Sequence, residues 1–139
     1  MIVLGVDYGR RKIGLAVGDS QTGLVEPWGT AVNHQLPACR QDRSVISNIQ
    51  KLISQRGIEL IVVGMTGGEI DKEIRQFSSK IKKIIGLPVE FFDETLTTQL
   101  ANQILGQNAR TRKYKKSMED AIAAAVMLQL YLEREGQHV

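Results

Sequence analysis

The sequence predicts a single α/β domain: a mixed five-stranded sheet flanked by helices on both faces. Three observations lead there. Two β-branched apolar runs at 2–6 and 12–17 flank a short Gly9-Arg10-Arg11 connection, a wholly apolar run lies at Leu60–Met65, and strand and helix periodicities alternate from Cys39 onward. Strands that alternate with helices imply parallel pairing through right-handed crossovers, while the opening hairpin must be antiparallel.

In order, the first two runs read as a hairpin, and 24–32 adds a third strand. From 39 to 56 the apolar residues Val45, Ile49, Leu52 and Ile53 recur at helical spacing, with Gly57 as the stop. Leu60–Met65 has the unbroken apolar character of a strand covered on both faces. Ile70, Ile74, Phe77, Ile81 and Ile84 mark an amphipathic helix closed by Gly86. A strand at 89–94, a helix at 96–105, a polar loop at 107–116 and a last helix at 117–134 complete the order β-β-β-α-β-α-β-α-α.

At 139 residues, 42% of them hydrophobic, the chain suits one core, so residues 1–139 are read as one domain. The lone Cys39 excludes an internal disulfide and a cysteine-based zinc cage. No apolar run approaches a membrane span and no basic leader precedes Ile2, so no membrane partner and a cytoplasmic location are expected. The net charge of +3 is too small to identify a polyanionic partner unless the cations cluster.

In open α/β sheets the working groups collect at the carboxyl ends of parallel strands. The first strand ends in Gly5-Val6-Asp7-Tyr8-Gly9, a carboxylate among glycines that permit close approach of a ligand. The strand at 89–94 ends in Asp93 and Glu94, whose side chains must point to opposite faces, so at most one of them meets Asp7. Asp120, on the last helix, is followed by Ala121, Ala123, Ala124 and Ala125, small enough for close packing on the sheet. Three converging carboxylates repel one another unless a hard divalent cation, Mg²⁺ or Mn²⁺, lies between them. Such a site supports phosphodiester hydrolysis. Asp19 is excluded because the hairpin carries it to the far end of the sheet. Two simpler readings compete: Asp120 lies at capping-box spacing from Ser117, and Asp93-Glu94 suits the start of a following helix.

Five of the seven residues from 110 to 116 are basic: Arg110, Arg112, Lys113, Lys115 and Lys116. Arg10, Arg11 and Lys12 follow Asp7 just as closely. Both clusters border the acids and could hold a phosphate backbone, with Tyr114 available to stack on a base. Gly9 to Gly14 has P-loop spacing but Leu15 stands where lysine is required, which excludes a Walker site. The Gly64-Met65-Thr66-Gly67-Gly68 segment has amides that could meet a phosphate, although a tight turn explains it better. Asp7 and Gly9 in a hairpin also suit the phosphate loop of actin-like sugar kinases, but those need two such domains.

Gly5-Val6-Asp7-Tyr8-Gly9 with Lys12-Ile13-Gly14-Leu15-Ala16-Val17, Ile61-Val62-Val63-Gly64, Asp93-Glu94-Thr95-Leu96-Thr97-Thr98, and Asp120 with its alanines and Leu128 together resemble the YqgF family. These are Holliday junction resolvases, also described as RuvX, similar to nucleases that process the small-subunit ribosomal RNA precursor. The resemblance spans almost the whole chain. It implies a ribonuclease H-like fold and a site of Asp7, Glu94 and Asp120, choosing Glu94 over Asp93. The implied activity is Mg²⁺- or Mn²⁺-dependent hydrolysis of structured RNA, at the 5′ end of pre-16S rRNA during ribosome biogenesis. Branched DNA, cut as a Holliday junction in recombination and repair, is the alternative substrate, and a non-catalytic nucleic-acid-binding factor is the alternative class. A monomer suits RNA; a homodimer with paired sites suits a junction. Met65-Thr66 replaces the usual Leu-Pro and Thr95 the usual Arg, so substrate contacts are expected to differ there.

Overall fold

The computed structural model describes residues 1–32, 38–93 and 109–136, with side chains throughout except at 32, 38–44, 109–118 and 136. The elements run β1 (Ile2–Asp7), β2 (Lys12–Asp19), β3 (Val25–Val32), α1 (Ala38–Arg56), β4 (Leu60–Met65), α2 (Asp71–Ile85), β5 (Val89–Asp93) and α3 (Ala109–Gly136). One five-stranded sheet has the order β3-β2-β1-β4-β5. The β1–β2 and β2–β3 pairs are antiparallel and the β1–β4 and β4–β5 pairs parallel, which gives the mixed sheet expected.

Side-chain alternation divides the sheet into two faces. On one, Leu4, Val6, Ile13, Leu15, Ile61 and Val63 pack against Val45, Ile49 and Leu52 of α1 and Ile74, Phe77 and Ile81 of α2. On the other, Val3, Ala16 and Val62 pack against Ala124, Met127, Leu128 and Tyr131 of α3. Helices therefore cover both faces. Each fully buried Leu, Ile or Phe contributes roughly 1.5–3 kcal/mol relative to exposure, so these two clusters dominate the stability of the fold.

The helix stops behave as their sequence predicts. Gly86 takes a left-handed conformation (φ 79°) and its N–H donates to the Lys82 carbonyl at 3.0 Å, and Gly57, at φ 68°, does the same for Ile53 at 3.0 Å. On α2, however, Ile84 is 56% exposed while Ile85 is packed against the core. At 100° per residue Ile85 lies about 20° around the helix from Ile74 and Ile84 about 80° away, so Ile85 continues the buried stripe.

The larger difference concerns 107–116, expected as a polar loop. From Ala109 onward this segment is helical, continuous with the helix expected to start at 117. Arg and Lys are good helix formers, and no Gly or Pro interrupts the chain between Ala109 and Glu135, so polarity alone was a poor sign of a loop. The strand expected through residue 94 is described as far as Asp93; Glu94 and the helix expected at 96–105 lie outside the described residues. No helix among the described residues is long and apolar enough to cross a membrane.

Candidate active site

Asp7 is the last residue of β1, at the carboxyl end of a central strand. Val3 belongs to the α3-facing core, and Gly5 meets Leu128 and Ala124 of α3, so two-residue alternation turns Asp7 to the α3 face as well. Tyr8 then crosses to the other face, where its ring packs on Phe77 of α2 with centroids 5.0 Å apart. That contact holds the chain as it leaves β1.

Gly14 lies between the backbone positions of Asp7 and Asp120. In the β1–β2 ladder Asp7 pairs with Gly14. The backbone of Asp120 lies directly on Gly14: a Cβ there would sit 1.9 Å from the Asp120 carbonyl oxygen and 3.0 Å from the Ala121 nitrogen. A glycine inside a strand pattern is a sign of such close approach. It was the signal available in the sequence for a residue that the choice of acids had passed over. Asp120 stands about three turns inside α3, so its capping-box spacing from Ser117 has no capping role.

The Asp120 carboxyl is pushed above its ordinary range, chiefly by burial and secondarily by Glu119, while the Lys12 ammonium opposes the shift. Lys12 therefore acts on the α3 face, beside the acids. Asp93 is on the opposite face: Glu90 accepts a hydrogen bond from Tyr131 of α3 and Phe92 packs with the α3 core, whereas Val89 packs with the other core and Asp93 pairs with Met65, which belongs to that core too. Among the described residues no three His, Cys, Asp or Glu side chains gather as a metal-holding group; Glu94 lies outside them. Asp7 and Asp120 are hard oxygen donors on one face, a donor type that fits Mg²⁺ or Mn²⁺ rather than a soft metal.

Arg10, Arg11 and Lys12 divide around the hairpin. Arg10 turns toward α2, where its Nε and Nη2 both lie 3.0 Å from Glu73 Oε1, and Arg11 is exposed. The backbone of the basic run at 110–116 forms the opening turns of α3, so Arg110, Arg112, Lys113, Lys115 and Lys116 belong to the same helix as Asp120; their side chains lie outside the described set. The amides of the 64–68 turn are already used: Thr66 N–H and Oγ1–H donate to Asp71 Oδ1 at 3.0 and 2.9 Å, and Gly67 N–H donates to Oδ2 at 2.9 Å. These bonds, led by the Thr66 amide, hold the Asp71 carboxyl below its ordinary range. The turn is thus capped from within. Asp19 pairs with Ile2 at the opposite end of the sheet and accepts the Gln21 N–H at 2.9 Å, as its exclusion required.

Comparison with known proteins agrees with this architecture. A family model described as RuvX, Holliday junction resolvase, matches residues 1–134. A protein of Thermosynechococcus vestitus named "Putative pre-16S rRNA nuclease" is 33% identical over 97% of this chain and 89% of its own length. One of the same name from Moorella thermoacetica is 32% identical over 99% of both. Among solved structures, Thermus thermophilus RuvC in complex with Holliday junction substrate superposes with a TM-score of 0.58 at 15% identity, covering 96% of each chain. That likeness establishes the ribonuclease H-like fold.

Proposed function

The chain belongs to the RuvX family, and from that premise we propose that it is a nuclease, a hydrolase of phosphodiester bonds, that trims the 5′ end of pre-16S rRNA. The observation that supports the reading is at Gly14, which pairs with Asp7 in the β1–β2 ladder and lies against the backbone of Asp120 of α3. The names of the curated relatives favour RNA over DNA as the substrate.

Asp7 and Asp120 would hold a divalent cation, Mg²⁺ or Mn²⁺, and Glu94 is the proposed third carboxylate. Such a cation, held by these carboxylates, would supply Lewis acidity for phosphodiester hydrolysis. The chain's own groups do the rest: Asp7 and Asp120 orient, and the Lys12 ammonium offsets part of the rise that burial gives the Asp120 carboxyl. Lys12, Arg11 and the basic run at 110–116 neutralise the substrate backbone, giving affinity without sequence preference. Hydrolysis adds water across one P–O bond, leaving phosphate on one fragment and hydroxyl on the other.

A second reading, resolution of branched DNA, is favoured by the description of the family model. The test compares wild type and Asp7→Asn on a pre-16S rRNA fragment and on a synthetic four-way junction, each with Mg²⁺ or with EDTA. RNA cleavage lost in the variant and in EDTA is the expected result. Cleavage that survives either change rejects the metal site. Preferential cutting of the junction selects the second reading, and salt-sensitive binding without cleavage shows a binding factor.

A further inference from the structure

Two carboxylates in the first turn of α2 occupy the anion-binding groups on one side of the active end. Asp71 accepts the amides of Thr66 and Gly67, and Glu73 accepts from Arg10 Nε and ion-pairs with Nη2. Arg10 is three residues beyond Asp7 in the chain. Its partner is 63 positions away in sequence, so the pair is a product of the fold. On the other side of the same strand end, Lys12 acts on Asp120. On the α2 side the Arg10 guanidinium and the Thr66 and Gly67 amides are thus already held by carboxylates of α2, while on the α3 side the Lys12 ammonium faces Asp120 itself.

Resting on the nuclease reading, we propose that Glu73 is a specificity-determining residue that keeps nucleic-acid phosphates off the α2 side by occupying Arg10. The backbone of a bound strand is thereby confined to the α3 side, where Lys12 and Asp120 lie. The side chains of Arg10 and Glu73 are 66% and 40% exposed, so a phosphate can compete for the guanidinium but must first displace the carboxylate. A strand that fits the α3 side has no need of that exchange. One that does not fit gains nothing from Arg10 while Glu73 holds it.

The test is a binding cycle in EDTA, by fluorescence anisotropy, with a labelled single-stranded RNA of random sequence at 50 and 200 mM KCl. Glu73→Gln frees one cation, so the slope of log K against log salt steepens by about 0.7 and binding at 50 mM KCl tightens by about threefold. In the Arg10→Gln, Glu73→Gln double variant the gain disappears relative to Arg10→Gln alone. Unchanged or weakened binding by Glu73→Gln, or a gain that persists without Arg10, overturns the proposal. Mg²⁺-dependent cleavage is scored separately. Arg10-dependent tightening in a protein that never cleaves sinks the nuclease reading alone, cleavage without that coupling sinks only the role of Glu73, and no binding by any variant sinks both.

Discussion

Gly14→Ala is the sharpest perturbation of the site, because it adds one methyl group and no charge. The new Cβ would lie 1.9 Å from the Asp120 carbonyl oxygen and 2.3 Å from its carbonyl carbon, where 3.0 Å is already closer than real contacts permit. Helix α3 must therefore retreat at this point by at least about 1 Å, and the clash is with backbone, which no rotamer change relieves. Overpacking of this kind costs typically 1–3 kcal/mol. The functional loss should be larger than the stability loss, since a 1 Å misplacement of a catalytic group can reduce turnover about 100-fold. Urea unfolding gives the first quantity and initial rates of RNA cleavage at saturating Mg²⁺ the second. Gly29→Ala is the control: that glycine also lies in the hairpin sheet, but an added Cβ meets nothing within 4 Å. If Gly14→Ala unfolds within 0.5 kcal/mol of Gly29→Ala and cleaves at the wild-type rate, Asp120 is not positioned by this contact.

Three further outcomes follow from the same geometry. Burial raises the Asp120 carboxyl above its value of 3.8, so ionising it costs the folded state stability above the folded pKa and nothing below 3.8. Metal-free Asp120→Asn should therefore melt higher than wild type at pH 7, with the gap closing as pH falls through the acidic range; a gap independent of pH contradicts this. A cation at 100 times its dissociation constant stabilises a folded site by about 2.7 kcal/mol, so saturating Mg²⁺ should raise the melting temperature of wild type but not of Asp7→Asn, and equal shifts would remove Asp7 from the ligand set. Tyr131, 4% exposed, donates its hydroxyl to Glu90 far from Asp7, so Tyr131→Phe should cost about 1 kcal/mol in thermal melts and leave cleavage rates intact.

Much of this site was legible in the chain because the relevant signals are local. Apolar periodicity marks a strand or helix within a few residues, so β1, β4 and α2 were foreseen nearly to their ends, and Asp7 could be placed at a strand terminus. The error at 109–116 has the same origin. Solvated Lys and Arg say little about whether the backbone is helical, and their side-chain charge was read as a loop when their helix propensity was the better guide.

What the sequence by itself determined is the five strands, the helices α1 and α2, Asp7 at the end of β1, and the basic residues that follow it. Which of these groups share a space was decided only by the tertiary structure. Strand alternation does not say which way Asp7 faces; the packing of Val3 and Gly5 against α3 does. Charge spacing grouped Arg10 with Lys12, yet the fold sends Arg10 to Glu73 and Lys12 to Asp120. Gly14 was visible as a glycine in a strand, while the helix backbone lying on it comes from a residue 106 positions later. Pairings across such distances depend on how the sheet twists and which helix covers which face, and no local pattern encodes that.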